Sequence, residues 1–238
     1  MKCINKIKIS VSVFLMIGVL ANLLVLINGR FNQMDNKSLI TNKTNQNKMA
    51  NNTTKDELLT LVNFENMIPE DWKVDLVRLN RDQLVDRRIY DDLIAMLQAA
   101  KNEGMNLLVC SSYRTNEKQT RLYQNKINEY INQGYSKAKA GDKAAFWVAR
   151  PKTSEHQLGL AVDIVSMKNQ HLDCSQEDTL EQQWLIQNSW KYGFILRYPT
   201  NKNDITKVGY EPWHYRYVGK KHAKKIKELG ICLEEYVK

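Results

Sequence analysis

Two stretches of this chain hold residues whose types and spacing could do chemistry. Ser154-Glu155-His156-Gln157-Leu158-Gly159-Leu160-Ala161-Val162-Asp163-Ile164 sets an imidazole and a carboxylate seven residues apart. Tyr210-Glu211-Pro212-Trp213-His214 places a second imidazole three residues after a second carboxylate. Two imidazoles and one carboxylate make a three-ligand zinc site whose fourth position is left to water, acidified there toward a pKa of ~7. A carboxylate beside that water can take its proton as general base and later hand it to a leaving amine. His156, Asp163 and His214 are therefore the candidate ligands, and Glu211 the candidate base. Pro212 limits the backbone between Glu211 and His214, and Trp213 offers a rigid wall. Of the four histidines, His171 lies in a polar loop without partners for this chemistry, and His222 in a Lys-rich helix, on a face expected to be solvated.

These groups need elements to position them. From Gly159 onward the first stretch alternates: Leu160, Val162 and Ile164 point one way, and Gly159, Ala161 and Asp163 the other. One face suits a core, and the other leaves room beside the carboxylate. His156 has the wrong parity for that second face, so the backbone must bend near Gly159 for both groups to reach one ion. Leu58–Asn63 is a short strand candidate, and Pro69–Trp72 a turn. Apolar residues from Val85 to Ala100 keep helical spacing, which predicts a helix over 82–102. Leu107–Cys110 reads as a buried strand that delivers Ser111, Ser112, Tyr113 and Arg114 at its end. Helices are expected over 116–133, with Gln119 at capping-box spacing, over 136–148 and over 178–192. Phe194–Tyr198 is a strand, and Lys220–Leu229 a basic terminal helix. The mixture, without a regular βαβ repeat, predicts an α+β fold with a small, largely antiparallel sheet flanked by helices.

The ends of the chain speak to compartment. Lys2, Lys6 and Lys8 form a basic n-region over residues 1–8, ahead of an apolar run from Ile9 to Ile27. Its 19 residues approach the ~20 that span a bilayer and exceed the ~7–15 of a cleavable h-region. The expectation is a single-pass signal anchor at 9–27 with a cytoplasmic N-terminus; a cleaved signal peptide, giving a secreted protein, is the alternative. Residues 28–56, rich in Asn, Lys, Thr, Gln and Ser, read as a flexible linker, and the folded domain as 57–238. The net charge of +9 falls to +6 once the three lysines of residues 1–27 are set aside. A basic exported domain suits an anionic surface such as a bacterial wall. Export and the lack of a basic–aromatic motif argue against nucleic acid. Cys3 lies before the span, which leaves three cysteines outside and no disulfide framework. Cys110 reads as a small buried hydrophobe, and Cys174 and Cys232 are the pair that could bridge.

Ser154-x-His156-x-x-Gly159-x-Ala161-x-Asp163, Glu211-Pro212-Trp213-His214 and the upstream Ser-x-Tyr-Arg ending at Arg114 resemble the VanY-type zinc D-alanyl-D-alanine carboxypeptidases. These belong to the LAS metallopeptidases, with lysostaphin-like and hedgehog-like relatives, and the resemblance covers about residues 58–235. It implies one Zn²⁺ per domain on His156, Asp163 and His214, with Glu211 as catalytic base. It also implies that Arg114 binds or polarises substrate oxygens, that Ser154 helps hold a terminal carboxylate, and that Gln119 lines the pocket. Arg suits such a role because its planar fork can give two hydrogen bonds to a carboxylate. The implied partners are peptidoglycan stem peptides, met by a monomer. Lys152 and Lys207 stand where relatives have Gly, which predicts altered loop shape at the rim. Three other readings stay open: cleavage of another wall bond by the same chemistry, as an L,D-carboxypeptidase or an endopeptidase; a dipeptidase, against which the anchor argues; and a zinc-stabilised wall-binding module without catalysis.

Overall fold

The computed structural model describes residues 57–80 and 82–238. The n-region, anchor and linker expected over 1–8, 9–27 and 28–56 lie outside the described residues, and among those described no helix is long and apolar enough to cross a membrane.

A two-stranded hairpin, β1 (Leu76–Arg78) and β2 (Leu84–Asp86), leads into α1 (Arg87–Asn102). Then follow β3 (Leu107–Ser111), α2 (Asn116–Asn132), α3 (Lys137–Ala145) and β4 (Ala161–Ser166). The chain continues through α4 (Leu180–Asn188), β5 (Phe194–Leu196), α5 (Asn203–Thr206), β6 (His214–Tyr217), α6 (Lys220–Leu229) and α7 (Leu233–Tyr236). The main sheet has the order β3-β4-β6-β5, and every pair in it is antiparallel. The architecture is thus the expected α+β, with a small antiparallel sheet.

Strand parity divides the sheet into two chemically different faces. Val162 pairs with Tyr215 and Phe194 with Tyr217, on the side that packs against Ile89, Leu93 and Met96 of α1. Each of those three helix residues is fully buried and contributes about 1.5–3 kcal/mol by leaving water. Asp163 pairs with His214 and Ala161 with Arg216 on the opposite face. One face is core, and the other carries the chemistry. Tyr215 and Tyr217 therefore pack in the core, with the Tyr217 hydroxyl donating to Asp92 Oδ2 at 2.6 Å.

Several elements differ from the sequence expectation, each for a local reason. The first helix begins at Arg87, because Leu84–Asp86 pairs with β1 and Asp86 caps the helix by accepting from Arg88 N. Val85 is buried as a strand residue, which made it fit the helical spacing too. Leu58–Asn63 forms no strand. Its Leu58 and Thr60 carbonyls accept from Arg216 Nη2 at 2.9 Å each, so they satisfy a buried guanidinium rather than a ladder. The helix expected over 136–148 ends at Ala145. That expected over 178–192 is α-helical only over α4, capped by Thr179 accepting from Gln182 N, and ends as a 3₁₀ turn at Ser189–Tyr192; a separate 3₁₀ turn, Cys174–Asp178, precedes it. Lys152 and Lys207 keep left-handed backbones, φ 68° and 59°, so both loops hold a glycine-like course despite the side chain. Cys110, Cys174 and Cys232 are all free thiols. Cys232 is buried at the start of α7 while Cys174 is exposed, and the pairing considered from sequence does not form.

Candidate metal centre

The polar face of the sheet builds the site. Asp163 and His214 stand directly opposite on β4 and β6. Neighbouring residues in such a pair have Cβ atoms about 5 Å apart, close enough to share an ion. Asp163 Oδ1 is 3.1 Å from His214 Nδ1, and Oδ2 is 3.3 Å from His156 Nε2. Ligand atoms of all three residues lie within 4.8 Å of one another, and the two imidazoles meet edge to face at 4.9 Å. All three residues are buried.

His156 reaches this point from outside the strand. It lies in a 3₁₀ turn, Glu155–Leu158, which Gly159 ends with φ 75°. The bend required by parity is therefore present, and it lies where a Cβ would come within 2.7 Å of Val74 Cγ1 and 3.0 Å of Asp86 Cβ. Nδ1 of His156 is 2.8 Å from the Ser112 carbonyl oxygen. A carbonyl can only accept, so Nδ1 carries the proton and the Nε2 lone pair faces Asp163. Burial and the nearby Arg114 charge lower the His156 pKa to about 4, which keeps the ring neutral as a ligand must be. Gly159→Val is expected to destabilise the metal-free domain by about 2–4 kcal/mol, from backbone strain plus overpacking. It should also weaken zinc binding by about tenfold through displaced His156. Urea unfolding and chelator competition check both; wild-type zinc affinity in the variant contradicts the geometric role of the bend.

Glu211 and His214 come together through a tight turn, in which His214 N donates to the Glu211 carbonyl at 3.2 Å with Pro212 between them. Glu211 Oε2 is 3.8 Å from His214 Nδ1, beside the ligand set but not in it. Burial pushes the Glu211 carboxyl up to about 8, with His214 and Arg114 opposing the shift. A dication next to it draws it back toward the ionised form that a base needs. His214 is shifted up to about 9: burial opposes its charge, but hydrogen bonds to Asp163 and Glu155 outweigh burial. A metal ion held by His214 would therefore have to displace a proton from its ring.

Arg114 closes one side. Its Nη2 donates to Asp163 Oδ2 at 2.6 Å, Nε to Ser111 Oγ at 2.9 Å and Nη1 to Gln119 Oε1 at 3.3 Å. Three of the five guanidinium N–H groups are engaged, which leaves two for a substrate oxygen. Ser111 is aimed here by an irregularity in β3, where the register slips between Val109 and Ser111 so that Ser111 stands opposite Asp163. Gln119 is fully buried and also donates to the Ala149 carbonyl. It neither caps its helix, which Thr115 does, nor borders the cavity, and it acts on the site by holding Arg114. Ser154 borders the cavity and makes no capping bond to the turn that follows it. Trp213 and Tyr198 complete the wall, the Tyr198 ring 4.9 Å from that of His214. The cavity over the ligands measures about 580 Å³. His171 is exposed in its loop, and His222 reaches Tyr236 instead.

The residues present fit a zinc ion: two ring nitrogens and a carboxylate converge, the His156 ring is fixed by a hydrogen bond behind it, and a second carboxylate stands alongside. The family model described as VanY, D-alanyl-D-alanine carboxypeptidase, matches residues 82–220, more than half of the chain. The chain belongs to the VanY family. It is 46% identical over 179 residues to a D-alanyl-D-alanine carboxypeptidase of Enterococcus faecalis (strain ATCC 700802 / V583), covering 75% of this chain and 65% of that protein. The chain therefore spans just under two thirds of that relative's length. A vancomycin-resistance D,D-pentapeptidase VanY, solved as a Glu-to-Ala variant with Zn(II), superposes with a TM-score of 0.70 at 44% identity, covering 76% of this chain and 99% of that one. The LdcB LD-carboxypeptidase superposes with a TM-score of 0.65 at 39% identity, covering 76% and 85%.

This VanY-family domain also holds site residues that the sequence motifs did not single out. Glu155, quoted only as a spacer before His156, is buried under the metal site with Oε2 3.4 Å from His214 Nε2. Burial alone would raise its pKa, but the charges of Arg197 and Arg216 hold it well below the ordinary carboxylate range. Both arginines are fully buried. The available signal was two arginines beside apolar and aromatic strand residues, Phe194-Ile195-Leu196-Arg197 and Tyr215-Arg216-Tyr217, where a charge is stable only with a buried partner.

Proposed function

We propose that this chain is a zinc-dependent D,D-carboxypeptidase that removes the C-terminal D-Ala from peptidoglycan stem peptides. The convergence of His156, Asp163 and His214, with Glu211 beside them and Arg114 paired to Asp163, carries this reading. Zinc held there supplies a Lewis acid that acidifies water and polarises a carbonyl. Glu211 takes the proton of the attacking water and returns it to the amine of the departing D-Ala. Arg114, fixed by Asp163, Ser111 and Gln119, offers its remaining donors to the oxygen on which negative charge develops. Ser154 offers a hydroxyl to the terminal carboxylate, and Trp213 forms the wall against which the peptide lies.

Arg114→Lys tests the substrate side. A lysine cannot reproduce a fork that meets three partners at once, so kcat/KM should fall by about 10²–10³ while zinc stays at one per chain. Unchanged kinetics would reduce Arg114 to a structural ion pair. The likeness to LdcB supports a second reading, an L,D-carboxypeptidase acting on tetrapeptides. Incubating the full chain with zinc and a stem pentapeptide or tetrapeptide, with product masses read by mass spectrometry, separates the two. Loss of one D-Ala from the pentapeptide alone supports the D,D reading, and loss from the tetrapeptide alone overturns it. Residues 9–27 hold the domain outside the membrane in this proposal. Membrane fractionation with external protease checks it; recovery of the intact chain in the cytosol contradicts it.

A further inference from the structure

Glu155 precedes one ligand in sequence yet serves the other in space. Its Oε1 accepts from Arg197 Nε at 2.7 Å and from Arg216 Nη1 at 2.8 Å, while Oε2 stands 3.4 Å from His214 Nε2. Two guanidiniums claim one oxygen, so the other is left to the imidazole. The arginines are themselves fixed from the ends of the domain. Glu234 in α7 takes Arg197 through two bonds of 2.8 and 2.7 Å, and its Oε1 also accepts from Asn63 Nδ2 at 3.2 Å. Arg216 Nη2 donates to the Leu58 and Thr60 carbonyls. His156 differs, because a main-chain carbonyl orients it.

A neutral imidazole that donates from one nitrogen presents its lone pair at the other. We propose that Glu155 is a positioning residue that accepts the His214 Nε2 proton and so keeps the Nδ1 lone pair beside Asp163 and Glu211. The orientation of a metal ligand is then set, through one buried carboxylate, by the segment around Leu58–Asn63 and by α7. This rests on the zinc reading of the site but not on the substrate, so the D-Ala assay and the tests below fail independently.

The first test uses the wild-type chain loaded with zinc and ¹⁵N-labelled at histidine, with long-range ¹H–¹⁵N correlation spectra. The expected result is His214 protonated at Nε2 and bound through Nδ1; binding through Nε2 overturns the proposal. The second test is Glu155→Gln. With its amide oxygen facing two guanidiniums, Gln presents its NH₂ to His214 Nε2, which must then accept and leave the hydrogen on Nδ1. Zinc affinity, by competition with a chelator, should fall about 10–100-fold. A purely structural carboxylate would lower unfolding stability while zinc affinity stays within twofold of wild type, and that outcome overturns the proposal. Should the variant not fold, the wild-type spectra still decide.

Discussion

Glu211→Gln is expected to lower kcat for D-Ala release by about 10³-fold while the chain still binds one zinc. Glu211 is outside the set of converging ligand atoms, so the ion keeps His156, Asp163 and His214. What is lost is a group that can take a proton, and a positioned general base contributes about 10²–10⁴-fold. The amide has nearly the same volume, and burial already disfavours the charged form of Glu211, whose pKa is pushed up to about 8. Stability should therefore hold or rise slightly. Steady-state kinetics on a pentapeptide, zinc content by atomic emission and thermal unfolding separate the three effects. If the variant turns over at the wild-type rate, the mechanism is wrong even with the family and the metal correct.

Arg197→Met is expected to destabilise the domain by about 3–5 kcal/mol, a large share of the ~5–15 kcal/mol that a domain has. Arg197 is fully buried between Glu155 and Glu234, at 2.7 Å from each. Removing it leaves Glu155 to Arg216 and His214 and takes both charged hydrogen bonds from Glu234, which keeps the Asn63 amide. Replacing Glu234 as well, in Arg197→Met/Glu234→Met, should recover part of the loss, because uncompensated charge costs more than an apolar pair. Urea denaturation of the metal-free proteins measures both. Burial raises the Glu234 pKa, but the hydrogen bonds and charge of Arg197 overcome that and hold it below its ordinary 4.5. Its share of stability is present above that pH and is lost as pH falls below it. In Arg197→Met that acid-dependent share should shrink. A variant as stable as wild type at neutral pH contradicts the assignment of this cluster as a structural support.

The convergence of His156, Asp163 and His214 was legible in the sequence because their chemistry is rare and their spacing is tied to backbone geometry. The parity conflict between His156 and Asp163 led to the bend at Gly159, and φ 75° is what it required. Glu155, Arg197, Glu234 and Asn63 were not legible as a group. They come from four separate segments and meet only through tertiary packing, so no local pattern links them. The misplaced start of α1 has a similar origin. Val85 satisfies helical and strand spacing alike, and pairing with β1 decides between them. Lys152 and Lys207 both take the left-handed backbone that glycine adopts most readily, so a side chain at these positions still allows a glycine-like loop course.

In the proposed function, one zinc ion held by His156, Asp163 and His214 drives release of D-Ala. Metal-free wild-type chain titrated with zinc, with D-Ala release from a pentapeptide followed at each addition, tests it most directly. The expected result is no release at the start, a linear rise to one equivalent and a plateau beyond it, with His156→Ala flat throughout. Release at the full rate from the metal-free chain, or from His156→Ala, would contradict it.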